Sequence, residues 1–380
     1  MSTFDRLDAQ AGAGVDAVLN TLADELLKAG RYHELWEARK LQNRRKLGLS
    51  LFPPEQEDLS ESQRTALEDG LVAACKEVGV ALWKQGQLRD GWMYLRPVGD
   101  KNLARELLAK IEVDEDNMDQ FVDVALHEGV DPVRGFAAVL KNYGTCNAIT
   151  TFESALQSFP RADRQAAAAM LVERLHHELS ENLRSDISRQ EGSEPKEKSI
   201  RELVADRDWL FGETNYHIDT THLAAGVRAA RLLEDPKHLR LALDLTEYGR
   251  RLHRQYQYQG DEPFVDTYPA HAFYFQAVLG ENEAAALDFF AKKAKEVEVA
   301  EHGTLPIETY AELLARRNRP GEAMAAILEL VPAGTRMQGV APPLVDLARR
   351  AGDFSAYLRH ARERDDLLSY AAGLVQKITK

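Results

Sequence analysis

The 380-residue sequence predicts an all-α protein built as an array of helical hairpins, an α-solenoid or superhelix, with a closed toroid as the alternative arrangement. Three observations lead there. An apolar helical run, a short turn with Gly or Asn and a second amphipathic run recur at residues 26–32, 82–88, 315–320 and 350–354, with looser copies around Gly129, Glu234-Asp235-Pro236 and Gly280. One turn chemistry used this often implies stacked hairpins, none of which buries its apolar face without its neighbours. β-Branched runs are short and never alternate over the length of a strand.

A first hairpin spans about residues 15–47, where Leu19, Leu22, Leu26 and Leu27 have the three-and-four spacing of a buried stripe. Pro53-Pro54 ends it, and an acidic connector over 55–61 leads to a second hairpin over 62–111 that turns at Gln85-Gly86. Trp83, Trp92 and Tyr94 make that hairpin a bulky aromatic layer, expected in the core. A third pair runs from 117 to 159, turning at 129–132. Residues 161–185 read as one strong helix with Leu171, Leu175, Leu179 and Leu183 on one face. The stretch 188–198 contains no apolar anchor, so 186–199 is expected to be a mobile polar loop separating N-terminal hairpins (1–185) from C-terminal repeats (200–380). Beyond it come a lead-in helix near 200–209, hairpins at 219–256, 267–299 and 305–330, and a closing hairpin at 343–376. Asp219, Asp266 and Thr304 stand where helix caps are wanted, each before the first turn of one of these helices.

Composition narrows the function classes. A formal net charge of -13 opposes nonspecific attraction to nucleic acid and to anionic membranes, so neither is an expected partner. The basic group Arg39, Lys40, Arg44, Arg45 and Lys46 spreads around a helix and alternates with Leu41 and Leu47, as a solvated face does. No apolar run approaches the roughly 20 residues of a spanning helix, and the first residues have neither a basic start nor an apolar core, so cytoplasmic residence is expected. Cys75 and Cys146 form no CxxC pair, and Cys75, inside Leu71-Val72-Ala73-Ala74, is expected as a small buried hydrophobe. Phosphate-loop, dinucleotide, nucleophile-elbow and zinc-ribbon signatures are absent, and no cofactor is expected.

The segment 307–330 resembles a tetratricopeptide-type repeat: Tyr310, Ala311, Leu314, Asn318, Ala323 and Ile327 fall where that motif has large, small, large, turn, small and large residues. Gly30-Arg31-Tyr32-His33-Glu34 and Gly352-Asp353-Phe354-Ser355 resemble its inter-helix turn. Spacing departs from the family between Gly30 and Gly86 and fits it between Asn318 and Gly352. What the resemblance implies is binding of a protein or peptide on a concave helical surface, here expected in residues 200–330.

The richest chemistry lies in Asn215-Tyr216-His217-Ile218-Asp219-Thr220-Thr221-His222 with Asp266-Thr267-Tyr268-Pro269-Ala270-His271. If the first helices of successive hairpins lie side by side, their N-termini share a rim. The expected groove residues are then Tyr216, His217, Asp219, His222, Asp266, Tyr268, His271, Tyr274 and Tyr310. Capping and packing explain the aspartates. The alternative is an enzyme of unknown substrate using His217, Asp219, His222, Asp266 and His271, in one form with a metal on His217, His222 and His271, since imidazoles with a carboxylate match a catalytic zinc or iron ligand set. Phe273, Tyr274 and Phe275 are consecutive and cannot all face one core, so at least one is expected on a groove or a neighbouring element. Adjacent His176 and His177 point apart and are expected at the surface.

Overall fold

The computed structural model describes residues 2–55 and 57–379; Met1, Gln56 and Lys380 lie outside the described residues, Gln56 within the expected acidic connector. Every regular element among the described residues is helical, and the β structure there amounts to one antiparallel bridge between Gln259 and Asp266. None of these helices is long and apolar enough to cross a membrane. The chain forms two compact units, Met1–Gly144 with Glu153–Asp163, and Thr145–Phe152 with Arg164–Lys380.

In the first unit, α1 (Thr3–Ala11), α2 (Val15–Lys28), α3 (Tyr32–Lys46), α4 (Glu61–Lys84) and α5 (Leu88–Val98) each pack on the next. The predicted second hairpin therefore exists, and its aromatic layer is core: Trp83 and Trp92 stack with centroids 6.4 Å apart, and Trp83 Nε1 donates to the Leu88 carbonyl at 2.7 Å. Close approach at Gly79 and Gly91 makes the layer possible, since a Cβ on Gly91 would stand 2.0 Å from Trp83 Cδ1. Then come α6 (Lys101–Leu108), α7 (Met118–Val122) and α8 (Pro132–Asn142), with a π-helical turn at Asp123–His127 in the middle of the expected third pair. The basic face of α3 is neutralised within the unit: Arg39 pairs with Glu77 (2.7 Å), Lys40 with Glu37 (2.7 Å), Arg44 with Glu57 (2.6 Å) and Arg45 with Asp16 (3.0 Å). Cys75 is buried, as expected, and Cys146 is exposed.

In the second unit, α9 (Gly144–Glu153) supplies Thr145–Phe152, and α10 (Arg161–Glu191) is followed by α11 (Ile200–Val204), α12 (Thr220–Ala229), α13 (Pro236–Arg251), α14 (Thr267–Leu279), α15 (Glu283–Glu296), α16 (Val299–His302), α17 (Leu305–Arg316), α18 (Pro320–Leu330), α19 (Leu344–Ala351), α20 (Ser355–Glu363) and α21 (Leu367–Ile378). Helices α12 to α15 pack in succession, α15 on α17, and α17 to α21 in succession. The turns between them close as the sequence implies. At Gly30, Gly86, Gly280 and Asn318 the residue is left-handed (φ 68°, 76°, 79° and 58°). In each its N–H returns to the carbonyl three residues back and the next N–H to the carbonyl five back, which satisfies the last carbonyls of the preceding helix.

Several boundaries differ from expectation. The helix expected to stop at 185 continues to Glu191, because Ile187 extends the stripe of Leu175, Leu179 and Leu183 by one turn and is fully buried with them. The two compact units divide within residues 144–164. The segment after α10 is pinned by charge instead of apolar residues: Arg184 donates to the carbonyls of Pro195 (3.1 Å) and Glu197, and Arg207 pairs with Glu191 (2.6 Å) and Glu197 (2.9 Å). The expected closing hairpin is three helices, broken again at Asp365, whose φ is 55°. Thr304 does not cap α17; its hydroxyl donates to the buried carboxylate of Glu308 at 2.6 Å.

Candidate functional site

The strongest candidate is a cleft of about 490 Å³ in the second unit, walled on one side by the polar face of α10 and on the other by the turn preceding α12. Glu178, Asn182, Ser185, Asp186 and Arg189 recur on α10 at three-and-four spacing, so the helix presents them as one row. Residues Thr214 to Asp219 supply the facing wall. That wall is held in shape from His217 to Asp219. The buried Ile218 anchors it to the core, Asn182 Nδ2 donates to the His217 carbonyl at 2.7 Å, and Asp219 Oδ1 accepts the N–H groups of Thr221 (2.8 Å) and His222 (3.2 Å) as the N-cap of α12. The Thr221 hydroxyl, then the N–H of His222 and that of Thr221, hold the Asp219 carboxyl below the usual carboxylate range.

His217 is the centre of this arrangement. Its side chain is largely buried beside Asp186, with Nε2 to Oδ2 at 3.1 Å. Tyr248 on α13 completes the set: its hydroxyl accepts the His217 backbone N–H at 2.8 Å and lies 3.1 Å from Nδ1. All groups are satisfied when Tyr248 gives its own proton to Nδ1 and Nε2–H donates to Asp186, an assignment made from the network. Burial raises the Tyr248 phenol above its ordinary value, so it stays protonated for this purpose. Tyr216, next in the turn and 53% exposed, stands edge-on to Tyr256 with centroids 5.1 Å apart.

The structure brings Tyr216, His217 and Asp219 to one cleft and places the other predicted residues elsewhere. His222 is half-buried on α12 and does not line the cleft. The starts of α12 and α14 are joined, but through Tyr258, whose hydroxyl meets Thr220 Oγ1 at 3.2 Å and whose carbonyl accepts the Thr267 hydroxyl at 2.8 Å. Asp266 makes no side-chain cap for α14; its backbone is bridged to Gln259. Tyr268, His271 and Tyr274 are each 1% exposed and so lie in the core instead of on a groove. Helix α14 is apolar nearly all round, which turns its polar residues inward. Tyr274 donates to Glu312 at 3.1 Å. Glu312 in turn pairs with Arg316 at 2.9 Å, whose guanidinium donates to the carbonyls of Arg231 (2.8 Å) and Leu233 (2.9 Å) just after α12. Tyr310 is half-buried on α17. Phe273 is the outward member of its triplet and stacks on Phe289 of α15.

His271 stacks on Phe264 with centroids 4.2 Å apart, and its Nδ1 donates to the Thr267 carbonyl at 2.6 Å. Burial first, then the charge of Arg231, pushes the imidazole down to about 3, so it is neutral with Nε2 as a bare acceptor. Neither that Nε2 nor the Tyr268 hydroxyl has a hydrogen-bond partner in the protein. Among the described residues no three His, Cys, Asp or Glu side chains gather as a metal-holding group, so His217, His222 and His271 are not brought to one centre.

Asp186, Asn182, Glu178 and Tyr248 are the members of the site that residue patterns do not reveal. Asp186 falls inside the stretch whose composition predicts a loop, and the signal that places it on a helix face is Ile187, one turn past Leu183. His176, expected at the surface, is instead partly buried against Asp244 at 3.2 Å. No protein family, curated protein or solved structure matches this chain.

Proposed function

We propose that the second unit is a tetratricopeptide-like array of helical hairpins that works in the cytoplasm as a binding scaffold, taking a short basic segment of a partner protein into the cleft between α10 and the 214–219 turn. The observation that carries this reading is the state of the cleft's polar groups. Both ring nitrogens of His217 and both functions of the Tyr248 hydroxyl are engaged within the wall, and Asp219 is occupied by the α12 N-terminus. A general base must keep a free atom within reach of substrate; a recognition wall needs rigidity. The volume suits one or two side chains of a ligand. Arg189 pairs with Asp186 at 3.4 Å, so Glu178 is the lining carboxylate that favours a cationic guest, and exposed Tyr216 offers a face for an Arg or Lys stem.

The hairpin-repeat reading draws support from α17 and α18, where Ala311, Leu314, Ala323 and Ile327 are all buried between the helices and Asn318 makes the left-handed turn. The test is an array of short Lys- and Arg-containing peptides probed with the full chain, followed by titration of the best binder. Tyr216→Ala and Glu178→Lys are expected to weaken that binding about tenfold each. An array without a binder, or binding indifferent to both changes, overturns the proposal.

A further inference from the structure

Helix α21 carries an apolar face that the fold leaves uncovered. Its inner side is occupied: the Tyr357 ring of α20 lies against Gly373, where an added Cβ would come within 2.5 Å of Cε1, and the Tyr357 hydroxyl donates to the Ser369 carbonyl at 3.0 Å. Arg362 of α20 donates to the Tyr370 hydroxyl at 2.5 Å. On the outer side Leu367 (76%), Leu368 (82%), Leu374 (39%), Val375 (53%) and Ile378 (77%) are exposed. Leu367, Ala371, Leu374 and Ile378 are spaced four, three and four, the seam of a two-helix coiled coil.

We propose that this face is the interface of a two-fold homodimer in which α21 packs antiparallel on the α21 of a second copy. Three features select that occupant. First, the five exposed side chains amount to on the order of 600 Å² of apolar surface per copy, so a two-fold pair covers about 1,200 Å², the lower edge of a specific interface and more than a free monomer ordinarily shows. Second, the seam is self-complementary under a two-fold axis near its middle: Leu367 meets the partner subunit's Ile378, and the small Ala371 meets the partner subunit's Leu374, large against small on both sides. Third, the charges fit the antiparallel direction. Asp365 and Asp366 outnumber Arg364 at the start of the helix, and Lys377 stands near its end, so each start faces the opposite sign. Parallel pairing would bring like ends together and align the helix dipoles unfavourably.

Sedimentation equilibrium of the full chain at about 10–100 μM is expected to show a dimer, with the Leu367→Glu, Ile378→Glu double variant at least about tenfold weaker in association. Both residues stand largely in solvent in the single chain, so the variant is expected to melt at an unchanged temperature once dilute, which separates lost association from lost folding. Direction is read by disulfide trapping in a Cys146→Ser background: Leu367→Cys mixed with Ile378→Cys is expected to form the mixed cross-link, and neither variant alone. A wild-type monomer across the concentration range, a dimer indifferent to the double variant, a Leu367→Cys self-cross-link, or a monomer that sediments with lipid vesicles through the same two residues each overturns the proposal.

Discussion

The carboxylate of Glu308, fully buried on α17, accepts the backbone N–H of Val340 at 2.7 Å across 32 residues of sequence. The same carboxylate accepts the N–H of Gln338 at 2.6 Å and the hydroxyl of Thr304 at 2.6 Å. A segment without regular structure is thus held on a helix by one buried side chain, because no strand or helix is there to satisfy those N–H groups. Glu308→Ala strands several buried donors at once and is expected to lower stability by about 3 kcal/mol, read from the urea unfolding midpoint. Glu308→Gln, which keeps one acceptor, is expected to lose roughly half as much. A loss under about 1 kcal/mol for the alanine variant would show that the segment finds other acceptors.

Gly86 has φ 76° and open space where a Cβ would stand. Gly86→Val is therefore expected to destabilise through backbone strain alone, by about 1–3 kcal/mol. Gly86→Asn, which tolerates the left-handed region, is expected to lose much less. Equal melting midpoints for the valine variant and the native chain would contradict the turn described.

The His271 imidazole is held near 3 in the folded chain and returns to about 6.5 on unfolding. Between those values the unfolded state binds more protons, so this residue lowers stability as pH falls below about 6.5, with a slope approaching about 1.4 kcal/mol per unit. Denaturant titrations from neutral pH downward are expected to show that decline, and His271→Phe, which keeps the ring stacked on Phe264, is expected to flatten it. An unchanged slope in the variant would assign the decline to other groups.

Removing His217 leaves Asp186 and the Tyr248 hydroxyl without their shared partner, so His217→Ala is expected to lower stability by about 2 kcal/mol. His222→Ala is expected to change it by less than about 0.5 kcal/mol. Asp219→Asn should also be mild, since Asn caps nearly as well, and Asp266→Asn removes no cap. Elemental analysis of protein purified without a histidine tag checks the same residues: stoichiometric metal, lost on changing either histidine, would make the rim a metal centre after all.

Limited proteolysis is expected to cut first within residues 192–198, the stretch between α10 and α11 that Arg184 and Arg207 tie down without an apolar anchor. Arg207→Ala should speed that cleavage severalfold. Earlier cleavage within 161–187 would mean that the apolar stripe of α10 does not hold it.

Much of the architecture was legible because it rests on local rules. Turn residues such as Gly86 and Asn318 need the left-handed region wherever they sit, and the leucine spacing of α10 shows its buried face without reference to any partner. The cap at Asp219 depends on the next three residues alone. Most of the candidate site was not legible, since it joins Asp186, His217 and Tyr248, which stand 31 residues apart in each pairing. Asp266 shows the converse: a residue with the right neighbours for a cap was claimed by a bridge to Gln259.

The sequence by itself determined that this protein is helical, where most of its helices turn, and that it carries a net charge of -13, because propensity, hydrophobic period and net charge are properties of short windows or of composition. Only the tertiary structure decided which polar residues meet. It sent Tyr268 and His271 into the core, set His217 against Asp186 and left the outer face of α21 in solvent. The physical reason is that a side chain's surroundings depend on how neighbouring helices rotate as they pack, and that rotation minimises exposed apolar area and unpaired polar groups over the whole unit at once.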